Sequence, residues 1–332
     1  MTTIKQVAEA AGVSFKTVSR VVNGESHVSP ETRARVQRAI RALDYRPNLP
    51  ARNMRTQRSL SIGLIASQVA TTPFAVDLIK GALDAAREHG RILVIVNSDN
   101  DPDHEAQAIE TLLERQVEGI IYAAMYHCVI TPPPALHQVP VVLANCRSHD
   151  GALPSVVPDE VQGGHDATAS LLVRGQRRHR RIGFINLEAD APAAVGRLAG
   201  YCEALAAVQI AYDPALVLHT HGRADSGYEA MQHLLTLTDA PTAIFCGNDQ
   251  IAMGAYDAIK ERGLRIPHDI AVVGFDNLEL IAAYLRPALS TLALPHYGMG
   301  RWAVDYLMQG AQADTAPSQM RLWCAYIERE SI

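Results

Sequence analysis

AGVSFKTVSRVVNG, Ala11 to Gly24, is the stretch from which the rest of the chain is read. On a wheel of 100° per residue, Val18, Val21 and Val22 share one face, while Phe15, Lys16, Ser19 and Arg20 point the other way. The segment therefore predicts a short helix whose apolar side is buried and whose outer side carries an aromatic ring, two cations and a hydroxyl. Upstream, Ile4, Val7, Ala8 and Ala11 form a second apolar stripe that Gly12 interrupts. Downstream, Ser29-Pro30-Glu31-Thr32 combines an N-cap serine, a proline at the first helical position and an acid in the first turn, with Val36, Ile40 and Leu43 as the inner face of a third helix. Three short helices around one small core are expected, the first two joined by a tight turn.

The exposed face of the middle helix has a chemistry of its own. An arginine can bond O6 and N7 of guanine through two donors, lysine can reach the same acceptors or a phosphate, phenylalanine can meet a thymine methyl, and hydroxyls suit phosphate oxygens. Charge supports this. Residues 1–60 hold eleven Lys or Arg and four Asp or Glu, a balance of +7, so the chain's net charge of -5 leaves -12 for the remainder. A basic head attracts a phosphate backbone, and an acidic body discourages indiscriminate wrapping of nucleic acid. A merely solvated basic surface would show the same charge balance.

TIKQVAEAAGVSFKTVSRVVNG, SPETRARVQRAIRALDYRPN and the following AR-x-x-R together resemble nearly the whole head signature of the lactose-repressor (LacI/GalR) family of transcriptional regulators. The resemblance implies a helix-turn-helix DNA-binding domain at residues 1–46. It implies that Phe15, Lys16 and Arg20 read bases and that Thr17, Ser19 and Asn23 contact the backbone of double-stranded operator DNA, as part of a homodimer. It further makes residues 47–60 a hinge and linker. There Pro50 to Arg55 would form a helix on operator DNA, with Ala51 and Met54 at the minor groove. The family places a leucine at that minor-groove step, and Met54 stands there in this chain. An apolar wedge parts stacked bases in either case, methionine more flexibly.

From Leu60 onward, short apolar runs alternate with helical patterns. Ser61 to Ala66, Ile92 to Asn97, Gly119 to Ala123, Val139 to Asn145, Arg181 to Asn186, Ala243 to Cys246 and Ile270 to Phe275 read as strands, which predicts parallel sheets wound by helices. The pattern begins again near residue 160, so two similar α/β lobes are expected. Gln309 to Ser318 reads as a polar loop before a final strand near Leu322 to Ile327. The family resemblance extends over residues 61–332 and implies a two-lobed core like that of periplasmic binding proteins, for effector binding and dimerisation. Lobe one would take about 61–160 and 291–320, and lobe two about 161–290 and 321–332.

The same resemblance implies a carbohydrate effector held by Thr72, Phe74, Asp159, Arg197, Asn248 and Asp276. Their chemistry is suitable: vicinal hydroxyls need paired donors and acceptors, and an aromatic face covers the apolar side of a sugar ring. Asp249 directly precedes a helical run, so helix capping and ligand contact both fit it. Two positions depart from the family's usual asparagines: Thr72 before Pro73-Phe74, and Glu160 after Asp159. VATTPFAVD (69–77), EGIIYAAM (118–125), VVLANC (141–146) and GFDNLEL (274–280) resemble the family's sucrose-operon repressors in particular, which implies sucrose or a related fructoside as effector.

Other function classes find little support. His104-Glu105 lacks the second histidine of a zinc protease motif, and no G-x-S-x-G elbow, P-loop or dinucleotide fingerprint occurs, so neither catalysis, a cofactor nor a metal is expected. His219-x-His221 could place two imidazoles on one side of a strand, with an exposed metal-free pair the blander reading. QRRHRR (176–181) reads as a solvated loop before a strand or as a second nucleic-acid patch. The five cysteines include no C-x-x-C pair. No export signal or uninterrupted apolar span is visible, which makes the cytoplasm the expected location and a membrane role unexpected. The rival from another class is a sugar-binding transport component, which would share the two-lobed body and lack the basic head.

Overall fold

A computed structural model describes residues 2–22, 25–45, 59–67, 74–173, 179–310 and 319–332, with the side chain of Phe74 outside that set. The chain divides into two units, Met1–Ser59 and Leu60–Ile332.

In the first unit, α1 (Ile4–Ala11), α2 (Phe15–Val22) and α3 (Pro30–Ala42) surround a core in which Val7, Val18 and Val36 are fully buried. Each helix start is chemically marked. Thr3 and Gln6 form a reciprocal capping box on α1, and the Ser14 hydroxyl accepts from the Thr17 amide at the head of α2. Ser29 accepts from Thr32 N ahead of Pro30 on α3. Gly12 ends α1 at φ 61°, the left-handed conformation that lets the chain reverse at once into α2. On α3 the buried residues are Val36 and Ala39, with Ile40 and Leu43 packed at the margin of the core rather than at its centre.

The second unit contains two six-stranded sheets. The first has the order β11-β5-β4-β3-β1-β2 and is parallel throughout: β1 (Ser61–Ala66), β2 (Ile92–Asn97), β3 (Ile120–Ile130), β4 (Val141–Ser148), β5 (Ser155–Pro158) and β11 (Gln319–Leu322). The second has the order β12-β10-β9-β8-β6-β7, with β6 (Ile182–Asn186), β7 (Val217–His219), β8 (Ala243–Cys246), β9 (Ala271–Asp276), β10 (Ser290–Ala293) and β12 (Ala325–Ile327). Only β12 runs antiparallel to its neighbour there. Helices cover both faces, so central strands such as β1 and β8 are buried at every residue, which is why they read as unbroken apolar runs. The edge strand β2 is only partly buried.

Three strands go beyond the sequence reading. β5 (SVVP), β7 (VLH) and β10 (STLA) have three or four residues each with polar residues or proline among them, so they do not stand out as the equally short but wholly apolar AIFC of β8 does. The expected final strand is two strands in different sheets, because the chain crosses between lobes after Leu322. β10 belongs to the second sheet, so the preceding crossing falls after Ala293 and not at residue 290. Among the described residues no helix is long and apolar enough to cross a membrane, and no group of three or more His, Cys, Asp or Glu could hold a metal ion.

Candidate functional site

In the head, α2 presents Phe15, Lys16 and Arg20 on its exposed side, opposite Val18 and Val21. Phe15 is 53% exposed although its own helix has a core face. Among the described residues, the carboxylate that meets Arg20 is that of the similarly exposed Glu25, 3.8 Å from its Nε. Thr17 and Ser19 are half-buried beside them, the Thr17 hydroxyl lying 3.0 Å from that of Ser14. Asn23, Ala51 and Met54 lie outside the described residues.

In the body, a cleft of about 430 Å³ opens between the carboxyl ends of the two sheets, the place where open α/β sheets bind ligands. One wall is made by a bulge. β3 and β4 pair from Ile120↔Val141 to Ala123↔Ala144, lose register, and resume at Cys128↔Cys146, so Ala124 to His127 stand opposite Asn145 alone. Asn145, at φ 57°, holds the bulge by donating from Nδ2 to the Ala124 carbonyl at 3.1 Å. Met125, Tyr126 and His127 are thereby turned into the cleft, together with His296 at the start of α11 (His296–Gln309). Burial pushes the His296 imidazole down to about 4, despite the opposing field of Glu160.

The facing wall rests on two closely packed helices, α6 (Glu160–Val173) and α7 (Pro192–Ala207). Gly200 allows the approach, since a Cβ there would overlap the Val161 carbonyl. The contact brings Arg197 of α7 to Glu160 of α6, both nearly enclosed at 3% and 4% exposure. Arg197 Nε donates to Glu160 Oε2 at 2.8 Å, its NH1 donates to the Gly247 carbonyl and lies 3.8 Å from Asp276, and the guanidinium sits 3.7 Å above the Phe275 ring. Burial raises the Glu160 carboxyl, but Arg197 and then His127 outweigh it and hold it below its usual range. Asp276 sits at the end of β9 with φ 107°, and burial pushes its carboxyl well up against the pull of Arg197. That arginine remains charged: burial opposes its proton, yet Glu160 and Asp276 more than compensate.

The structure redistributes the expected cleft residues. Arg197, Asn248 and Asp276 line the cleft; Asp159 does not. Its carboxylate accepts from Gln162 N at 3.1 Å and caps α6, which turns the next side chain, Glu160, into the cleft in its place. Asn248 is the N-cap of α9 (Asp249–Glu261), accepting from Ile251 N and donating to the Gly222 carbonyl, so both ends of its amide have partners. Asp249 neither caps the helix nor lines the cleft. It is buried, bonded to the Thr291 hydroxyl and Leu278 N, and burial raises it to about 7. Thr72 and the side chain of Phe74 lie outside the described residues. His127 and His296 were not expected; the bulge that presents His127 begins where the strand expected from sequence ended. His221 lines the cleft, whereas His219 is exposed and bonds the Leu187 carbonyl. Of the basic run at 176–181, His179 is buried and meets the Thr242 hydroxyl, and Arg181 bridges Asp213 and Asp239, so this end of the run is tied into the second lobe.

Comparison with known proteins matches both units. The sequence profile for "Bacterial regulatory proteins, lacI family" covers residues 3–48, and that for "Periplasmic binding proteins and sugar binding domain of LacI family" covers 59–330. The ribose operon repressor of Haemophilus influenzae is 34% identical over 309 residues, 93% of this chain and 92% of that protein. The sucrose operon repressor of Escherichia coli is 36% identical over 334 residues, 94% of this chain and 95% of that protein. The crystal structure of the lac repressor dimer bound to operator and the anti-inducer ONPF superposes with a TM-score of 0.80 at 29% identity, covering 99% of this chain and 98% of the other. A helix-turn-helix head joined to a two-lobed periplasmic-binding-type body defines a ligand-controlled transcriptional regulator. The chain belongs to the LacI family of DNA-binding transcriptional repressors, and its body is that family's sugar-binding domain.

Proposed function

We propose that this protein is a cytoplasmic, non-enzymatic repressor that binds pseudo-palindromic operator DNA as a homodimer and leaves it when sucrose or a related fructoside enters the cleft. The observation that carries the reading is the enclosed set of Arg197, Glu160 and Asp276 between the lobes, a concentration of hydrogen-bonding groups suited to vicinal hydroxyls. Arg197 and Asp276 contact the effector, with Asn248 contributing from the cleft wall. Phe15, Lys16 and Arg20 read bases, Thr17, Ser19 and Asn23 fix the backbone, and Ala51 and Met54 enter the minor groove. Two copies are needed because one short helix reads only a few base pairs. Exposed apolar side chains support a second copy on the body: Leu280 is 84% exposed, Tyr284 is exposed as well, and so are Ile92 and Ile95 of the edge strand β2.

Sucrose is favoured by the likeness to the Escherichia coli sucrose operon repressor, and the similar likeness to a ribose operon repressor makes ribose the comparison to measure. Calorimetric titration of sucrose and ribose into free and operator-bound protein tests the whole reading. Sucrose is expected to bind, and to bind more weakly by about 5 to 150-fold when operator is present, because coupling between two sites is reciprocal. Asp276→Ala should abolish the heat of binding while operator affinity remains. Sugar binding indifferent to operator would remove the switch, and ribose binding without sucrose would replace the effector.

A further inference from the structure

Resting on the reading of the cleft as the effector site, we propose that His127 contacts the effector directly, its Nε2 exchanging a hydrogen bond with a ligand hydroxyl, and that the preferred ligand is an uncharged polyol. Glu160 acts as the residue that positions the ring.

The His127 side chain is 10% exposed and stands on the β3 bulge, which has no evident purpose in the sheet except to turn residues out of it. Its Nδ1 is 3.2 Å from Glu160 Oε1. An ionised carboxylate only accepts, so Nδ1 must carry the proton of that bond, and the ring orientation follows. Nε2 is then left buried at the cleft wall with no hydrogen-bond partner among the described residues. An unpaired buried polar atom is unfavourable, and a ligand that supplies the missing partner removes that penalty. A hydroxyl suits this atom in either protonation state: it donates to the lone pair of the neutral ring and accepts from the N–H of the charged one.

The floor of the cleft sets the charge. Arg197 already lies between Glu160 and Asp276, so its guanidinium is engaged by carboxylates of the protein itself. A phosphate or carboxylate on the ligand would approach these two acids without an unengaged cation beneath it. Arg223, the other arginine of the lining, is three-quarters exposed and 3.9 Å from Asp225. The arrangement favours hydroxyls over anions.

Two substitutions separate contact from positioning, because asparagine places its amide near the former Nδ1 and glutamine near the former Nε2. The probes are sucrose, fructose, ribose and fructose 1-phosphate, titrated calorimetrically into the full chain, with operator binding and thermal melting as controls of folding. For whichever uncharged sugar binds, His127→Asn should weaken it about 10-fold, the effect of losing one hydrogen bond, and His127→Gln should stay within about 3-fold of wild type. Fructose 1-phosphate should bind more weakly than fructose. Equal loss in both folded variants, or no loss in either, overturns the Nε2 contact. Tighter binding of the phosphate overturns the uncharged preference. If an uncharged sugar binds, requires Asp276 and ignores His127, this inference alone falls; if none of the uncharged sugars binds, it falls together with the reading of the cleft.

Discussion

Two arginines, one in each unit of this protein, show opposite uses of the same side chain. Arg197 is enclosed at 3% exposure with Glu160 at 2.8 Å, Asp276 at 3.8 Å and an aromatic ring beneath it. Arg20 is 55% exposed, and its one carboxylate neighbour among the described residues, Glu25, is 3.8 Å away and 48% exposed. A buried ion pair is held by geometry and screened by little, whereas an exposed one is weakened by water and salt. The buried arginine is thus held by partners from within its own chain. The exposed one keeps its donors available for a partner that is itself charged.

The largest effect expected from this contrast is on stability. Arg197→Ala would leave Glu160 and Asp276 buried without their cation, and removal of one partner from such a group typically costs about 3–5 kcal/mol. Denaturant unfolding of the body should show that loss. A change below about 1 kcal/mol would mean that water reaches both carboxylates and that the cleft floor is not closed as described.

His296 sharpens the same point through pH. Its imidazole falls to about 4 in the folded body against 6.5 when unfolded. Between those values the unfolded chain binds the proton and the folded one does not, so acidification through 6.5 towards 4 draws the equilibrium to the unfolded state. Asp249 opposes this in an overlapping range, since its carboxyl is raised to about 7 and its contribution is lost as pH increases. Comparison with His296→Gln cancels the Asp249 part. The stability advantage of wild type over that variant should shrink by about 3 kcal/mol between pH 7 and pH 4. A difference independent of pH would place His296 in contact with water.

The two arginines also differ in how far the sequence reveals them. The outward face of α2 follows from helical spacing, because Val18 and Val21 determine the inner side and a helix has only one other. The site around Arg197 depends on contacts across long stretches of chain. Family likeness pointed to Arg197, Asn248 and Asp276, which line the cleft, and to Asp159, where Glu160 lines it instead. Asp159 immediately before a helix is itself a cap signal, and a capping side chain is turned back onto its own helix, so that clue was present. For His127 there was none. The run IIYAAMYHCVI continues apolar past the bulge, and nothing in it marks where register with β4 is lost. A central strand such as β8 (AIFC) is legible as an unbroken apolar run, whereas β5 (SVVP), β7 (VLH) and β10 (STLA), no longer than β8, carry serine, proline, histidine or threonine that hides them.

In the head the expected effect lies in binding rather than folding. Arg20→Ala removes no core contact and should leave the unfolding midpoint unchanged, yet weaken cognate operator binding by about 1–3 kcal/mol and flatten the preference among operator variants, as loss of a two-donor base contact would. Gel-shift titration against single-base operator variants measures both. A uniform weakening on every sequence would assign Arg20 to the phosphate backbone instead.

Glu25 provides the smallest and most direct break of the comparison. If the Arg20–Glu25 pair were structural in the way Arg197–Glu160 is, Glu25→Gln would destabilise the head; as an exposed pair it should change stability by less than about 0.5 kcal/mol. The backbone here has other support, since Arg33 donates to the Glu25 carbonyl and Glu25 N to the Arg20 carbonyl, bonds that the substitution leaves in place. Binding should move the other way. The variant raises the charge of a head already at +7 and releases Arg20 from its only neighbouring carboxylate among the described residues, so DNA affinity should rise modestly at low salt. Screening shrinks the gain as salt approaches physiological strength, where the Debye length is about 8 Å. Operator titrations of wild type, Glu25→Gln, Arg20→Ala and the double variant separate the contributions: the gain from Glu25→Gln should be smaller in the Arg20→Ala background, because part of it acts through Arg20. A gain of the same size in both backgrounds would make Glu25 a general repulsive charge, and a loss of stability would make the exposed pair structural and erase the distinction between the two arginines.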